Sequence, residues 1–262
     1  MDGYTYRGIA LTRPPGHRLS EGIVTHLSRS VVDPVLAARQ YTIYQETLAS
    51  AGWRVVEVDP APEHPDAVFV EDTLVVCENL AVVTRPGARE RRGEVEGAER
   101  AARSLGLRVA RIEKPGNLDG GDVLQVGNTV YVGVGGRTDE EGADQLERLL
   151  APLGREVRRV RLGRVLHLKS AVTALPDGSL IGLPEAVESV DLPPIRPVAE
   201  EPGAHIVPLG GRDVLVSAAA TETVHLLTAE HLRVLPVDIS EFEKLEGCVT
   251  CLSVLIPEAS LG

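Results

Sequence analysis

The chain has 262 residues, of which 43% are hydrophobic, 25% charged and 3% aromatic, and its formal net charge is −11. This composition excludes a disordered chain, and the length fits one large domain or two small ones. The acidic balance argues against binding to nucleic acid or to an anionic membrane, which need clustered Lys and Arg, and favours a cationic ligand.

The pattern of apolar residues predicts three amphipathic helices, at about 33–51, 90–105 and 138–153, each followed by a glycine. The first begins at the Asp33-Pro34 cap, and the third begins at a capping box of Thr138 and Glu141. The residues expected on the buried face of the first helix are Leu36, Ile43, Tyr44, Leu48 and Ala51.

Short apolar runs separated by turn residues predict hairpins between these helices. The paired strands are 68–70 and 73–76 with 80–84, 123–126 with 129–134, and 166–175 with 179–183, and a less clear hairpin starts near 213. One further strand follows each long helix, at 53–58, 108–112 and 157–162.

The order hairpin, helix, strand therefore repeats. The last strand, 249–256, has no hairpin partner after it, and strand 8–13 would supply one. This predicts five ββαβ units of roughly 45–50 residues, one of them closed by the two ends of the chain. An ordinary mixed α+β sheet is the alternative, and prolines at 193, 194, 197 and 202 interrupt the helix of the fourth unit.

Gly and Pro are spread along the chain rather than concentrated in a linker, so we expect one domain over residues 1–262. Three cysteines, Cys77, Cys248 and Cys251, are too few for a disulfide scaffold. The first residues, Met1-Asp2-Gly3, do not open a signal sequence, and no run approaches the ~18 apolar residues of a membrane span. We therefore expect a soluble cytoplasmic protein.

Polar residues with catalytic potential fall at matching places in the units. Glu71 and Asp72, Asp119, His167 and Cys251 all lie in or beside the first strand of a unit. If the units surround a pseudo-symmetry axis, these side chains converge on it. A thiol, an imidazole and carboxylates in one pocket compose a nucleophilic site in which the thiolate attacks, the imidazole moves protons and an acid orients the imidazole.

Each of these residues also has a structural interpretation. A cysteine in an apolar strand, such as Cys77 or Cys251, is often a buried hydrophobe, and His167 between two leucines is typical of a core histidine. The adjacent carboxylates of Glu71 and Asp72 are less easily explained this way, because a buried acidic pair needs a cationic partner.

Metal and cofactor motifs are incomplete. The turn Asp119-Gly120-Gly121-Asp122 lacks the ligand spacing of an EF-hand. Cys248-Val249-Thr250-Cys251 is a Cys-x-x-Cys, which suggests zinc or redox chemistry, but no second ligand pair accompanies it, and it precedes an apolar strand rather than opening a helix. No phosphate-binding or dinucleotide-binding glycine motif is complete. We therefore expect no metal and no cofactor.

Several motifs resemble one known family. Pro-Asp-Ala-Val-Phe-Val-Glu-Asp at 65–72, Leu-Asp-Gly-Gly-Asp at 118–122, Leu-His-Leu-Lys-Ser at 166–170 and Thr-Cys-x-Ser at 250–253 follow in the order found in dimethylarginine dimethylaminohydrolases. The resemblance covers nearly the whole chain. It implies the pentein fold, an α/β-propeller in which ββαβ units form a pseudo-fivefold ring, in agreement with the repeat.

The resemblance also implies an activity. The family hydrolyses Nω-methylated L-arginines, such as asymmetric dimethylarginine and monomethylarginine, to L-citrulline and di- or monomethylamine. The reaction passes through a covalent S-alkylthiouronium intermediate on cysteine and uses no metal or cofactor. The expected partner is therefore a small cationic substrate, and the assembly is either a monomer or a homodimer.

Residue by residue, the resemblance makes Cys251 the nucleophile, His167 the general acid/base and Asp119 the acid that orients it. Glu71 and Asp72 match the carboxylates that bind the guanidinium. The resemblance also makes Asp66 a substrate-binding acid, and it assigns the substrate carboxylate to Arg91 and Arg137. Backbone around Leu245 and Glu246 would help bind the α-amino group, and Val24 falls near a lid at about 14–25.

The nearby carboxylates should raise the pKa of the Cys251 thiol, so we expect a neutral thiol in the free enzyme. The nearest rival functions are arginine deiminase, agmatine deiminase and amidinotransferase. A rival of another class is a pentein that only binds a cationic ligand or a protein partner. Zn²⁺ fits the donor set as an inhibitor rather than as a cofactor.

Overall fold

The computed structural model describes residues 7–188 and 192–261, and within these residues fifteen strands form five three-stranded sheets. In every sheet the middle strand is antiparallel to one neighbour and parallel to the other. The strands are β1 Gly8–Thr12, β2 Trp53–Glu57, β3 Leu74–Cys77, β4 Leu80–Val83, β5 Arg108–Arg111, β6 Val123–Val126, β7 Thr129–Val134, β8 Glu156–Arg161, β9 Val172–Ala174, β10 Leu180–Gly182, β11 Ile195–Pro197, β12 Ile206–Gly210, β13 Asp213–Ser217, β14 Arg233–Val237 and β15 Val254–Pro257.

The helices are α1 Pro34–Ser50, α2 Val95–Ser104, α3 Glu140–Leu150, α4 Thr221–Ala229 and the short α5 Ser240–Glu243. In the first, second, third and fifth sheets, an α-helix (α1 to α4 in chain order) connects the middle strand to its parallel neighbour, which is the crossover expected for a ββαβ unit. The predicted closure by the ends of the chain is confirmed: β15 pairs antiparallel with β1, with Ile9 opposite Ile256. No helix in the described ranges is long and apolar enough to cross a membrane.

The five sheets close into a ring because apolar clusters fill the spaces between neighbouring sheets. Successive residues of each middle strand alternate between two clusters, as the period of a strand requires. In β1, Ala10 packs toward the fifth sheet, beside Leu215, and Leu11 packs toward the second, beside Ala81. The same alternation in β4, β7, β10 and β13 links every adjacent pair of sheets.

Two local predictions about helices are wrong. The buried face of α1 runs through Ala37, Tyr41, Tyr44 and Leu48, so Ile43 is 39% exposed. The cap of α3 is Asp139 rather than Thr138, because the Asp139 side chain accepts the backbone N–H of Gly142. The hydroxyl of Thr138 instead donates to Asp122.

The strand predictions placed the start of several strands too early. Residues Val70–Thr73 and Leu168–Ser170 form 3₁₀ turns just before β3 and β9. The 3₁₀ turn Gly120–Asp122 precedes β6, whose predicted bounds, 123–126, are confirmed. The last strand likewise starts at Val254, after a run of turns, and not at 249. The predicted site residues lie in these turns or directly before them, so the polar groups sit at the ends of the strands.

The fourth and fifth units also differ from the prediction. The described residues between β10 and β11 contain a 3₁₀ turn at Pro184–Ala186 and no α-helix, in keeping with the prolines there, while 189–191 lie outside the described residues. The hairpin predicted near 213 begins earlier, at β12. The Met1-Asp2-Gly3 start also lies outside the described residues.

Candidate active site

Most of the predicted site residues line one small cavity at the axis of the ring. The cavity has a volume of about 20 Å³, which is room for about one water molecule. The predicted residues on its wall are Asp66, Asp72, Arg91, Arg137, His167, Leu245 and Cys251. Four larger cavities, of 620, 560, 500 and 210 Å³, are lined by neither Cys251 nor His167. The structure therefore brings the predicted thiol and imidazole together on the wall of one small cavity.

His167 is held by a carboxylate directly behind it. Its Nε2 donates to Asp119 Oδ2 at 3.0 Å and lies 3.8 Å from Asp72 Oδ1. Asp119 is fixed in turn, since its Oδ1 accepts the backbone N–H of Gly87 at 2.8 Å. A Cβ on Gly121 would lie 2.6 Å from His167 Nδ1, so only glycine leaves room for this imidazole.

A second buried carboxylate fixes the backbone around His167. Asp122 Oδ1 accepts the N–H of Leu168 at 2.9 Å, and Asp122 Oδ2 accepts the hydroxyl of Thr138 at 2.6 Å. Thr138 Oγ1 also accepts the N–H of Asp119, which links the two acids. Burial raises the pKa of Asp122 to about 7, although the nearby imidazole opposes the shift.

Three neighbouring carboxylates determine the protonation state of His167. Burial by itself disfavours the imidazolium, but Asp72, Asp122 and Asp119 outweigh it and raise the pKa of His167 to about 10. The imidazole is therefore protonated at neutral pH. A protonated imidazole can supply a proton to a departing amine. No hydrogen bond joins His167 to Cys251 among the described residues, although both line the same cavity.

The Asp72 carboxylate contacts Arg91, Gly121 and His167. Its Oδ2 accepts Nη1 of Arg91 at 2.5 Å, and its Oδ1 accepts the N–H of Gly121 at 2.9 Å. Burial opposes ionisation, but His167 and Arg91 together lower the pKa of Asp72 to about 2. Asp72 is therefore a carboxylate at neutral pH, and Arg91 is the cationic partner that the sequence required.

The Glu71 side chain is paired with Lys169. Its Oε1 accepts Lys169 Nζ at 2.6 Å, and its Oε2 has no partner among the described residues. Its carboxylate is absent from the wall of the small cavity, but its backbone N–H donates to the carbonyl of Cys251 at 3.2 Å. Burial raises the pKa of Glu71 to about 7 against the effect of Lys169.

The two predicted arginines have different surroundings. Arg91 is buried and donates to Glu94, Asp72 and the backbone carbonyls of Asp66 and Phe69. It therefore positions Asp72 as well as lining the cavity. Among the described residues, Arg137 makes one long hydrogen bond, 3.4 Å from its Nη2 to the hydroxyl of Thr25, so its guanidinium makes fewer bonds than that of Arg91.

An irregular segment, residues 14–27 and here called the lid, closes the cavity. Asp66 Oδ1 accepts the N–H of Ile23 at 3.0 Å, and Ile23 itself lines the cavity. Val24, a predicted substrate contact, packs its side chain against the apolar cluster beside α1 and is not on the wall of this cavity.

The side chain of Glu246 binds the backbone of the lid. Its Oε1 accepts the backbone N–H groups of Thr25, His26 and Leu27, three consecutive donors that form an anion-binding nest. Glu246 also adopts φ 62°, a left-handed backbone conformation that is strained for a residue with a side chain. The strained backbone and the three bonds together indicate a position selected to hold the lid.

We predict that Glu246→Gln raises KM for the substrate by about tenfold and changes kcat less, because a neutral amide accepts these bonds more weakly than a carboxylate. Steady-state kinetics would measure both constants. Glu21→Gln is the control, since Glu21 belongs to the lid but, among the described residues, its side chain pairs only with the exposed Arg18. An unchanged KM in Glu246→Gln would mean that the nest does not contribute to closure.

Cys251 is a buried thiol in contact with a second thiol. Its Sγ lies 3.1 Å from Cys248 Sγ and accepts the N–H of Cys248 at 3.4 Å. The Cys248 contact, burial and the carboxylates of Glu71 and Asp72 all raise the pKa of the Cys251 thiol. This direction agrees with the expectation of a neutral thiol in the free protein.

We predict that Cys251 in the free protein ionises above the ordinary range of a cysteine, and that a bound cationic amidine lowers this pKa. The thiolate absorbs ultraviolet light, so the difference between wild type and Cys251→Ser, followed against pH, isolates its titration. Because the raised pKa stabilises the thiol, alkylation of Cys251 should accelerate as pH rises toward that pKa. Ionisation well below neutral pH in the free protein would contradict this prediction.

Sequence reasoning missed several residues that support the site. Glu94, Asp122, Lys169, Ile23 and Glu246 are the main ones. Lys169 lies within the Leu-His-Leu-Lys-Ser motif and Glu94 lies three residues after Arg91, so both carried a local signal. For Glu246 the resemblance indicated only a backbone contact, because the partners of its side chain are backbone groups more than two hundred positions away.

A metal ion would find one candidate group of ligands here. Asp72, Asp119 and His167 offer atoms that all lie within 4.8 Å of one another. These side chains already form hydrogen bonds with Arg91, with Gly87 and with one another. The bonds explain why the three residues lie close together without an ion.

Comparison with known proteins agrees with the fold and with the residues of the site. The family model described as arginine deiminase matches residues 64–166. With the closed ring of five sheets, this defines an enzyme of the pentein superfamily. An N(G),N(G)-dimethylarginine dimethylaminohydrolase of Streptomyces coelicolor is 52% identical and is matched over 95% of this chain and 97% of its own. This chain belongs to the dimethylarginine dimethylaminohydrolase family.

Another relative and two solved structures support this family membership. The Pseudomonas aeruginosa member is 33% identical, over 93% of this chain and 97% of its own. A solved structure of that enzyme, a cysteine-to-serine mutant complexed with citrulline, superposes with a TM-score of 0.88 at 31% identity, covering 96% of this chain and all of that one. A histidine-to-glycine dimethylarginine dimethylaminohydrolase, solved as an adduct with S-methyl-L-thiocitrulline, also has a TM-score of 0.88 at 31% identity, over 95% of this chain and 99% of that one.

Proposed function

We propose that this enzyme hydrolyses Nω-methylated L-arginines to L-citrulline and a methylamine, with Cys251 as nucleophile, His167 as general acid/base and Asp119 as the acid that orients it. One observation carries the proposal: a buried thiol, a protonated imidazole and the Asp66 and Asp72 carboxyl groups share the wall of a lidded cavity. Such a cavity suits a cation with an electrophilic carbon.

Substrate binding would use the charges around the cavity. A guanidinium is planar, and paired carboxylate contacts fix its plane and concentrate its charge. Asp72, and the unpartnered Oε2 of Glu71, are proposed to accept its N–H groups. Arg137, together with Arg91, would hold the substrate carboxylate. Asp66 and the backbone at Leu245 would face the α-amino end, beneath the lid.

The chemistry follows from these protonation states. The bound cation lowers the pKa of the Cys251 thiol, which loses its proton to solvent, and the thiolate attacks the central carbon of the guanidinium. His167 gives its proton to the departing methylamine, which leaves an S-alkylthiouronium on Cys251. The neutral imidazole then takes a proton from water, which attacks the same carbon and releases citrulline and the thiol. Stabilisation comes from carboxylates facing a cationic adduct rather than from an oxyanion hole.

The groups proposed for this reaction come from several units of the ring. Glu71, Asp119, His167 and Cys251 precede β3, β6, β9 and β15 respectively. We therefore propose that residues 1–262 act as one catalytic domain. The proposed steps use groups of a single chain, so a monomer and a homodimer serve the reaction equally.

The experiment that tests this function compares citrulline formation from asymmetric dimethylarginine, arginine and agmatine. We expect a clear preference for the methylated arginine. Preference for arginine or agmatine would instead make the protein a deiminase, and transfer of the amidino group to an amine would make it an amidinotransferase. Binding of all three without product would favour a pentein that only binds its ligand.

A further inference from the structure

The nucleophile has a second thiol beside it. Cys248 and Cys251 are the first and last residues of a turn closed by the bond from the N–H of Cys251 to the carbonyl of Cys248, at 3.0 Å. The two Sγ atoms are 3.1 Å apart, and both cysteines are buried and free. We propose that this pair is an oxidative modification site, in which a peroxide joins Cys248 to Cys251 as a disulfide and switches hydrolysis off.

The geometry favours the disulfide. An S–S bond is about 2.05 Å long, so the two sulfurs need to approach by only about 1 Å. Side-chain rotation supplies such a movement, and the turn lies before β15, so no strand pairing has to break. The absence of a helix at this Cys-x-x-Cys argues against a thioredoxin-like thiolate, but the contact between the sulfurs does not depend on a helix.

The surroundings make this site selective for a small oxidant. Cys251 lies on the wall of the 20 Å³ cavity, and Cys248 is behind it. A peroxide, close to water in size, fits this space, whereas a bulky disulfide oxidant such as glutathione disulfide does not while the lid is closed. The third cysteine, Cys77, is packed in the apolar cluster between the second and third sheets, apart from the pair.

The step balances. One thiolate attacks an oxygen of hydrogen peroxide, which gives a sulfenic acid and, after protonation, one water. The second thiol attacks the sulfenic sulfur and releases a second water as the S–S bond forms. Two thiols are thus oxidised by two electrons, and one peroxide is reduced to two waters. A reducing dithiol reverses the step by exchange.

This oxidation would have two consequences. It removes the proposed nucleophile, so hydrolysis stops. It also captures the sulfenic acid before more peroxide can convert it to a sulfinic acid, which thiols do not reduce. Cys248 thus makes the oxidation of Cys251 reversible. The loss of activity rests on the proposed function, whereas formation of the disulfide does not.

Intact-mass measurement on the full chain treated with one equivalent of hydrogen peroxide tests the proposal. We expect wild type to lose the mass of two hydrogen atoms and all activity, and to recover both with dithiothreitol. Trypsin cleavage after Lys244 puts both cysteines in one peptide, so mapping locates the bond. Cys248→Ser and Cys248→Ala should instead gain oxygen and, in excess peroxide, lose activity irreversibly, whereas Cys77→Ala should behave as wild type.

Two results would overturn the proposal. One is wild-type protein that gains oxygen without losing the two hydrogens. The other is a disulfide that requires Cys77. If the Cys248–Cys251 disulfide forms and activity persists, the modification site stands, but both the switch and the assignment of Cys251 as nucleophile fail. The mass and activity readouts therefore separate a failure of this proposal from a failure of the proposed function.

Discussion

Replacing Cys251 with serine should reduce citrulline formation by at least about a thousandfold, the scale seen when a covalent nucleophile is removed. The cause is the difference between the two groups. A bound cation and a nearby imidazole can bring a thiol to its thiolate near neutral pH, but a serine hydroxyl stays protonated under the same conditions. Steady-state assays with asymmetric dimethylarginine measure the loss.

The substitution should leave the fold intact, because a hydroxyl is smaller than the thiol and can still accept the N–H of Cys248. Circular dichroism and ligand binding would check this. Cys248→Ala is the matched control, since it alters the same turn without touching the proposed nucleophile, and we expect it to remain active. Full activity in Cys251→Ser, or loss of activity in Cys248→Ala alone, would refute the assignment.

Much of the ring was predictable because its signals are local. Apolar runs, turn residues and capping prolines repeat along the chain, and the lone strands at its two ends implied each other, as the pairing of Ile9 with Ile256 confirms. The errors have local causes too. The 3₁₀ turns before β3 and β9 contain apolar residues, such as Val70 and Leu168, whose pattern is also typical of a strand.

The site was predictable in composition but not in its hydrogen bonds. Motifs indicated which residues could meet, because chemistry restricts residue type. They did not indicate that Arg91 donates to Glu94 and Asp72, or that Glu71 pairs with Lys169. Such bonds depend on how distant units are juxtaposed around the axis. The same is true of Glu246 and the lid, which are joined only by the closed ring.

Replacing His167 with asparagine should lower kcat for asymmetric dimethylarginine by about 10²–10⁴-fold, the usual contribution of a positioned general acid/base, with a smaller change in KM. The departing amine is a poor leaving group unless it is protonated, and His167 is the proton donor on the cavity wall. Kinetics at fixed pH measure the loss. Asp119→Asn is the comparison: it keeps the imidazole but weakens its support, so its loss should be smaller.

Two further readouts separate an acid/base role from a structural one. The pKa of His167 is raised to about 10, so the protonated form that serves as acid is present below that pH and lost above it. Wild-type kcat should therefore fall at strongly alkaline pH, and the His167→Asn substitution should abolish that fall.

S-methyl-L-thiocitrulline releases a thiol, which needs less protonation than an amine. His167→Asn should therefore release one thiol per site and stop as an adduct on Cys251, because the imidazole that activates water is missing. Equal losses on both substrates with no adduct would indicate that His167 only supports the fold.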